Sequence, residues 1–181
     1  MKEFMEIVRG RRSVRKYEER EIPEEMLNEV LESVRWSPSW ANTQCWEAVV
    51  VKDHGIKEQL QATLPEKGNP AKTAVVQAPV VIALCGRLKS SGFYKEQAST
   101  KFGDWFMFDL GIAAQTLCLC AHHYGLGTVI VGLFNHDQAK QVLNVPEGVE
   151  LAALIPIGYP VKKSHAPKRK ELTEFVHINS F

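Results

Sequence analysis

Apolar residues at Met26, Leu27, Val30, Leu31 and Val34 recur at spacings of three and four behind Ile22-Pro23-Glu24-Glu25. That pattern predicts a helix with proline and acids in its first turn, ending near Ser37-Pro38. A shorter helical pattern covers Phe4 to Val8, and others run from His54 to Leu64, Pro70 to Gln77 and Asp137 to Leu143. Strands are expected around Ala48 to Val51, at Pro79 to Cys85, from Thr128 to Val131 and from Leu151 to Ile157. The second of these is continuously apolar, as a strand buried on both faces should be. Asp104 to Tyr124 is the longest helical pattern and is apolar almost all round, so it should be buried, in part against a second subunit or in a plain core. Gly125 and Gly127 end it.

Between Leu88 and Lys101 the chain turns polar around Ser90-Ser91-Gly92, which predicts an exposed, irregular segment. After Pro160 a lysine-rich stretch through Lys170 is followed by Leu172, Phe175, Val176, Ile178 and Phe181. A solvated tail should not end apolar, so these residues are expected to form an extended arm on a sheet edge, its own or a partner's. No internal repeat or linker divides the sequence, and one domain over 1–181 is the expectation.

Composition narrows the class. Lys+Arg 22 against Asp+Glu 21 leaves a net charge near +1, which gives no bulk field for nucleic acid. No apolar run has the length of a membrane span and no secretory apolar core follows Met1-Lys2-Glu3-Phe4, so a cytoplasmic address without membrane attachment is expected. The four cysteines, Cys45, Cys85, Cys118 and Cys120, include no Cys-x-x-Cys pair and read as buried thiols. No histidine has a ligand partner at metal spacing, so no metal site is expected. There is also no Gly-x-Ser-x-Gly elbow to carry a hydrolase.

Candidate chemistry starts at Arg11-Arg12-Ser13-Val14-Arg15, where three guanidiniums and a hydroxyl fall within five residues beside a helix end. Arginine forks match phosphate oxygens bidentately, and free backbone N–H groups at a helix terminus add to them. Alone, such a run is more often merely a solvated surface. It is accompanied by Ser37-Pro38-Ser39-Trp40-Ala41-Asn42-Thr43-Gln44-Cys45-Trp46, by Gly125-Leu126-Gly127-Thr128, and by Ile157-Gly158-Tyr159-Pro160 ahead of Lys168 and Arg169.

These four segments, in this order, resemble the nitroreductase family of FMN-dependent oxidoreductases. The resemblance implies an α+β fold, a central mostly antiparallel sheet flanked by helices, in an intertwined homodimer with the C-terminal arm exchanged. It also implies FMN as cofactor, NADH or NADPH as electron donor, and ping-pong transfer to a small-molecule acceptor such as a nitroaromatic or quinone. Divergent relatives use the same slot for dehalogenation, azoline oxidation or flavin breakdown, and passive flavin binding is a further reading.

By resemblance, Arg11 and Ser13 take the FMN phosphate with Arg12 in support, and Lys168 and Arg169 close it from the C-terminal side. Arg15 falls near N1 and O2 of the ring. Pro38, Ser39 and Trp40 approach the ring from the other subunit, Asn42 and Gln44 hydrogen-bond or shape its surroundings, and Ile130, Val131, Gly132 and Leu133 align with the segment facing N5. Trp40 stands where the family has a small residue, which makes a surface or interface anchor the other reading for it. Cys45 replaces a common proline. No side chain is expected to be catalytic in itself, the cofactor carrying the chemistry. Asp104 and Asp109 read as caps or buried hydrogen-bond partners.

Overall fold

The computed structural model describes residues 3–162 and 164–181; Met1, Lys2 and Lys163, which were counted with the N-terminal opening and the basic tail, lie outside the described residues. Six helices, α1 (Phe4–Gly10), α2 (Glu24–Arg35), α3 (His54–Ala62), α4 (Lys72–Gln77), α5 (Phe106–His123) and α6 (His136–Val142), are described with six strands. The strands are β1 (Trp46–Val51), β2 (Val80–Arg87), β3 (Phe93–Tyr94), β4 (Gln97–Ala98), β5 (Gly127–Thr128) and β6 (Val149–Gly158).

The main sheet runs in the order β1-β2-β6-β5 with every neighbouring pair antiparallel. Side chains of β2 alternate between two cores, as the period of two requires. Val80, Ile82 and Leu84 join Leu27, Val30, Leu110 and Leu117 under α2 and α5, while Val81, Ala83 and Cys85 join Leu60, Val75, Ala139 and Leu154 under α3, α4 and α6. Helices therefore cover both faces of the sheet, which explains why β2 carries no polar position before Arg87.

Local chemistry fixes the element ends. Asp53 accepts from Ile56 N–H at 2.8 Å and Asn135 from Gln138 N–H at 3.1 Å, so α3 and α6 each begin at a side-chain cap. Gly125, at φ +81, turns the chain out of α5 through a conformation that side chains resist.

Three expectations need correction, and the two readings of α5 are separated. The strand expected over Thr128–Val131 is broken: β5 covers Gly127–Thr128, and Val131 then makes an isolated bridge to Leu154. The segment from Leu88 to Lys101 is not uniformly exposed or irregular. It folds into the β3–β4 hairpin, whose turn residues Lys95 and Glu96 both have positive φ, and its Ser91 is fully buried. Helix α5 is buried on one side only, through Asp109, Leu110, Ala113, Ala114, Leu117, Cys118 and Ala121, while Met107 and Phe108 are 57% and 60% exposed. A face left bare within this chain rules out the plain-core reading and leaves the expected contact with a second subunit open. Cys120, finally, is only partly buried, unlike the other three thiols.

The arm pairs with neither sheet edge of its own chain. Residues 164–181 are exposed throughout, with a single 3₁₀ turn at Leu172–Glu174.

Candidate functional site

The arginine cluster lies along the β5 edge. Ser13 bridges Thr128 in parallel, and Val14 N–H donates to the Thr128 carbonyl at 2.9 Å. The phenol of Tyr17 lies 2.8 Å from the Val14 carbonyl oxygen and 3.0 Å from that of Pro156, tying the same segment to β6. Burial pushes the Tyr17 pKa far up, so the phenol stays protonated and keeps its hydrogen for that tie.

Glycine at 127 makes this docking possible. A Cβ there would sit 2.5 Å from Val14 Cγ2 and 2.7 Å from Val14 Cβ, so the whole residue, not a side-chain tip, would have to move. Gly127→Ala is expected to cost about 1 to 3 kcal/mol of stability by overpacking. A urea melt measures this, and a variant as stable as the parent would mean that the arginine segment is not seated on β5 as described.

A groove of about 520 Å³ opens beside this edge, lined among others by Arg11, Arg12, Gly125, Gly127, Thr128 and Lys162. The three arginines of the cluster, of which Arg11 and Arg12 line the groove and Arg15 does not, are differently employed. Arg12 turns Nη1 onto the carbonyl oxygens of Arg9 and Arg11, closing the end of α1, and its Nε is buried with no partner. Arg15 is exposed, with only a 3.5 Å contact to the Ser13 carbonyl. None of the three makes an ion pair with another described residue. Glu6 also lines the groove, but its carboxylate accepts from Glu3 N–H in a capping box. An anion is what this donor set lacks.

The second cluster lies beyond the opposite edge of the sheet, just ahead of β1. Trp40–Asn42 form a 3₁₀ turn, and Ala41, Asn42 and Gln44 have φ of 45°, 56° and 50°. Three non-glycine residues in the left-handed region within four positions store strain of order 1 kcal/mol each, which persists only where surroundings enforce it. Here Gln44 N–H donates to Ser39 Oγ at 2.9 Å, and Thr43 N–H to the Trp40 carbonyl at 2.9 Å. Pro38, Asn42 and Gln44 line a cavity of about 470 Å³ with Arg35, Trp36 and Ser37. Thr43 Oγ1 is buried without a partner. The two orphaned buried side-chain atoms among the described residues thus fall one in each candidate cluster.

Trp40 is half-buried, its ring packed on Trp105 at 5.1 Å between centroids and tilted by 46°. Asp104 accepts from Phe106 N–H at 3.1 Å and Lys89 N–H at 2.6 Å, and buried Asp109 collects donors from Trp40, Ser91 and Cys45. Both are hydrogen-bond partners as expected. Burial and the neighbouring Asp109 push the Cys45 thiol up to about 12, and burial pushes Cys85 to about 11, so neither is a nucleophile.

Of the remaining candidates, Val131 is buried on Leu154, whereas Ile130 and Leu133 are 49% and 63% exposed and Gly132 holds His136 Nε2 through its carbonyl at 3.2 Å. Lys168 and Arg169 are exposed and line neither cavity; Lys162 and Ser164 line the basic groove instead. Those two, Glu6, His122 and Tyr17 were not singled out from sequence, since only the β5 edge brings them together. No group of three or more His, Cys, Asp or Glu side chains suited to a metal occurs among the described residues, and no described helix is long and apolar enough to cross a membrane.

Within one chain the two clusters stay apart. Trp40 bonds to Asp109 at the start of α5, while Gly10 of the arginine end abuts His122 at its far end, so roughly 20 Å of helix at 1.5 Å per residue separates them.

Residues 8–159 match the nitroreductase family. A Methanothermobacter thermautotrophicus protein assigned as an NADH dehydrogenase/NAD(P)H nitroreductase is 30% identical over 164 residues, covering 88% of this chain and 78% of its own. Human iodotyrosine deiodinase 1 is 26% identical over 96% of this chain and 68% of its own. Among solved structures, an FMN-dependent nitroreductase from Clostridium difficile superposes with a TM-score of 0.80 at 25% identity, covering 98% of this chain and 99% of that one.

Proposed function

The chain belongs to the nitroreductase family, and from that premise we propose that it is an FMN-dependent oxidoreductase that takes electrons from NADH or NADPH and delivers them to a small electrophilic acceptor in alternating half-reactions. The observation that carries the reading is the basic groove beside β5, where Arg11 and the Arg12 whose Nε has no partner share a lining with the backbone of Gly125, Gly127 and Thr128.

These residues suit a flavin phosphate. Arg11 and the Ser13 hydroxyl would hold it, Arg12 would keep the end of α1 closed behind them, and Lys168 with Arg169 would approach once the exposed tail folds over. Arg15 would lie by the ring edge where negative charge gathers on reduction. Pro38, Ser39, Trp40, Asn42 and Gln44 would flank the ring, and the backbone at Ile130–Leu133, beside β5, would face its reacting nitrogen. FMN, when bound, supplies the hydride-accepting and electron-donating chemistry that no side chain here offers.

The 20 Å separation along α5 supports a homodimer with trans sites: two copies of α5 packed antiparallel through Met107, Phe108 and their neighbours would bring the arginine end of one subunit to the Trp40 end of the other. All of this fits one domain over 1–181 working in the cytoplasm.

Purified protein should be yellow, lose that colour anaerobically with NADH or NADPH, and regain it on addition of a quinone or nitroaromatic. Flavin-loaded protein that neither nicotinamide bleaches would leave only passive flavin binding. The likeness to iodotyrosine deiodinase gives reductive deiodination as a second reading; adding iodotyrosine to the same assay separates the two by which acceptor restores the colour.

Arg15→Gln is expected to lower the midpoint potential of bound FMN more than it weakens FMN binding, because a cation at the ring edge stabilises the reduced anion. Potentiometry decides. An unchanged midpoint with strongly weakened binding would move Arg15 to the phosphate instead.

A further inference from the structure

Asp109 is 1% exposed, and its carboxylate gathers donors from two segments distant in sequence. Trp40 N–H lies 3.2 Å from both oxygens, the Ser91 hydroxyl donates to Oδ2 at 2.6 Å, and the Cys45 thiol points at the same oxygen from 3.6 Å. All three neighbours donate. Of the three only the Trp40 N–H must donate, but an amide in place of the carboxylate would force the Ser91 hydroxyl or the Cys45 thiol to turn its hydrogen away and accept instead, so the carboxylate is the group that suits all three donors at once. Its place in the first turn of α5 also favours an acid.

The two segments meet again through their aromatic rings. Trp105 N–H donates to the Ser91 carbonyl at 3.0 Å, Trp105 Nε1 donates to Thr100 Oγ1 at 2.7 Å, and the Trp105 ring packs on both Trp40 and Phe108. A cavity of about 220 Å³ lies against this cluster, lined by Pro38, Ser39, Trp40, Trp105, Phe108, Asp109 and Ile112. The loop that carries Trp40 has three left-handed residues within four positions, and it depends on outside contacts to hold its shape.

We propose that Asp109 is a positioning residue: its carboxylate locks the Trp40 loop to the Ser91–Trp105 segment, so that the two indoles form a fixed aromatic wall against which a planar acceptor stacks. The acceptor part rests on the oxidoreductase reading; the locking does not. Trp40 then acts as a selector for flat, unsaturated molecules, and Asp109 acts on the acceptor only through it.

The indole pair supplies a direct readout, because two tilted rings at 5.1 Å couple their transitions and give a paired positive and negative band in ultraviolet circular dichroism. Trp40→Phe assigns that band by removing it. With FMN supplied at saturation, Asp109→Asn is expected to lose the paired band while keeping helix content. The same variant should raise the KM for menadione about tenfold with a much smaller change in kcat, the size expected for losing a charge-assisted hydrogen bond. Ser91→Ala removes one donor and leaves the carboxylate, so it should weaken the band and raise the KM by about threefold.

A paired band that survives in Asp109→Asn overturns the locking role, and a lost band with an unchanged menadione KM overturns the wall. Should Asp109→Asn fail to fold, Ser91→Ala decides: band and KM both as in the parent sink the proposal. If the parent takes up no FMN, the functional reading fails, while the band comparison still judges the lock.

Discussion

Arg11→Ala is expected to yield a protein that purifies nearly free of flavin, with FMN affinity reduced roughly ten- to hundredfold. That range follows from losing one charge-assisted pair with the phosphate, about 1.5 to 3 kcal/mol. Arg11 should matter more than its neighbours because it is the arginine of the cluster that lines the groove without another task. Arg12 already spends its Nη1 on the carbonyls of Arg9 and Arg11, and Arg15 does not line the groove. Removing Arg12 should therefore loosen the end of α1 as well as the anion site, and the two effects would be hard to separate. Arg11→Ala leaves the helix end in place. Its FMN affinity, titrated by flavin fluorescence at moderate salt, is the measurement; a variant that binds as tightly as the parent would place the phosphate elsewhere.

The elements with a clear period were legible in the sequence. Leu27, Val30 and Val34 pointed α2 into the core, and the unbroken apolar run of β2 correctly announced a strand covered on both faces. What failed was whatever depended on partners distant in the chain. The run from Thr128 to Val131 has strand composition, yet after Thr128 the β6 partner engages it only through a long 3.4 Å bond from Val129 N–H to the Pro156 carbonyl and an isolated bridge between Val131 and Leu154. Ser91 looked like a loop serine because nothing near it in sequence reveals that Asp109 will bury it. The candidate site divided in the same way. The arginine run and the Ser37–Gln44 segment were visible as motifs, because their chemistry sits in consecutive residues. Their separation to opposite ends of α5, and the recruitment of Lys162 and Ser164 to the groove, came from the fold alone.

That separation gives the C-terminal arm its expected role. Leu172 is 70% exposed, Ile178 84% and Phe175 55%, and they pack on neither edge of their own sheet. Met107 and Phe108 on α5 are bare as well. Two uncovered apolar surfaces on one chain argue for a second copy, since a monomer rarely leaves large contiguous apolar patches in water. Truncation after Arg169 removes Leu172, Phe175, Val176, Ile178 and Phe181, each contributing about 1.5 to 3 kcal/mol when fully buried against a partner. The deletion also frees chain entropy that a docked arm must give up, and that gain offsets part of the loss. Side chains of this size should still prevail, so the truncated protein is expected to dissociate at lower dilution and to melt earlier. It should also release FMN, because a site built from both subunits comes apart with the dimer. Sedimentation, thermal melting and flavin content test the three together. A truncated protein that stays dimeric, flavin-loaded and as stable as the parent would show that the arm is dispensable and that the subunit contact is made elsewhere, with α5 as the next surface to mutate.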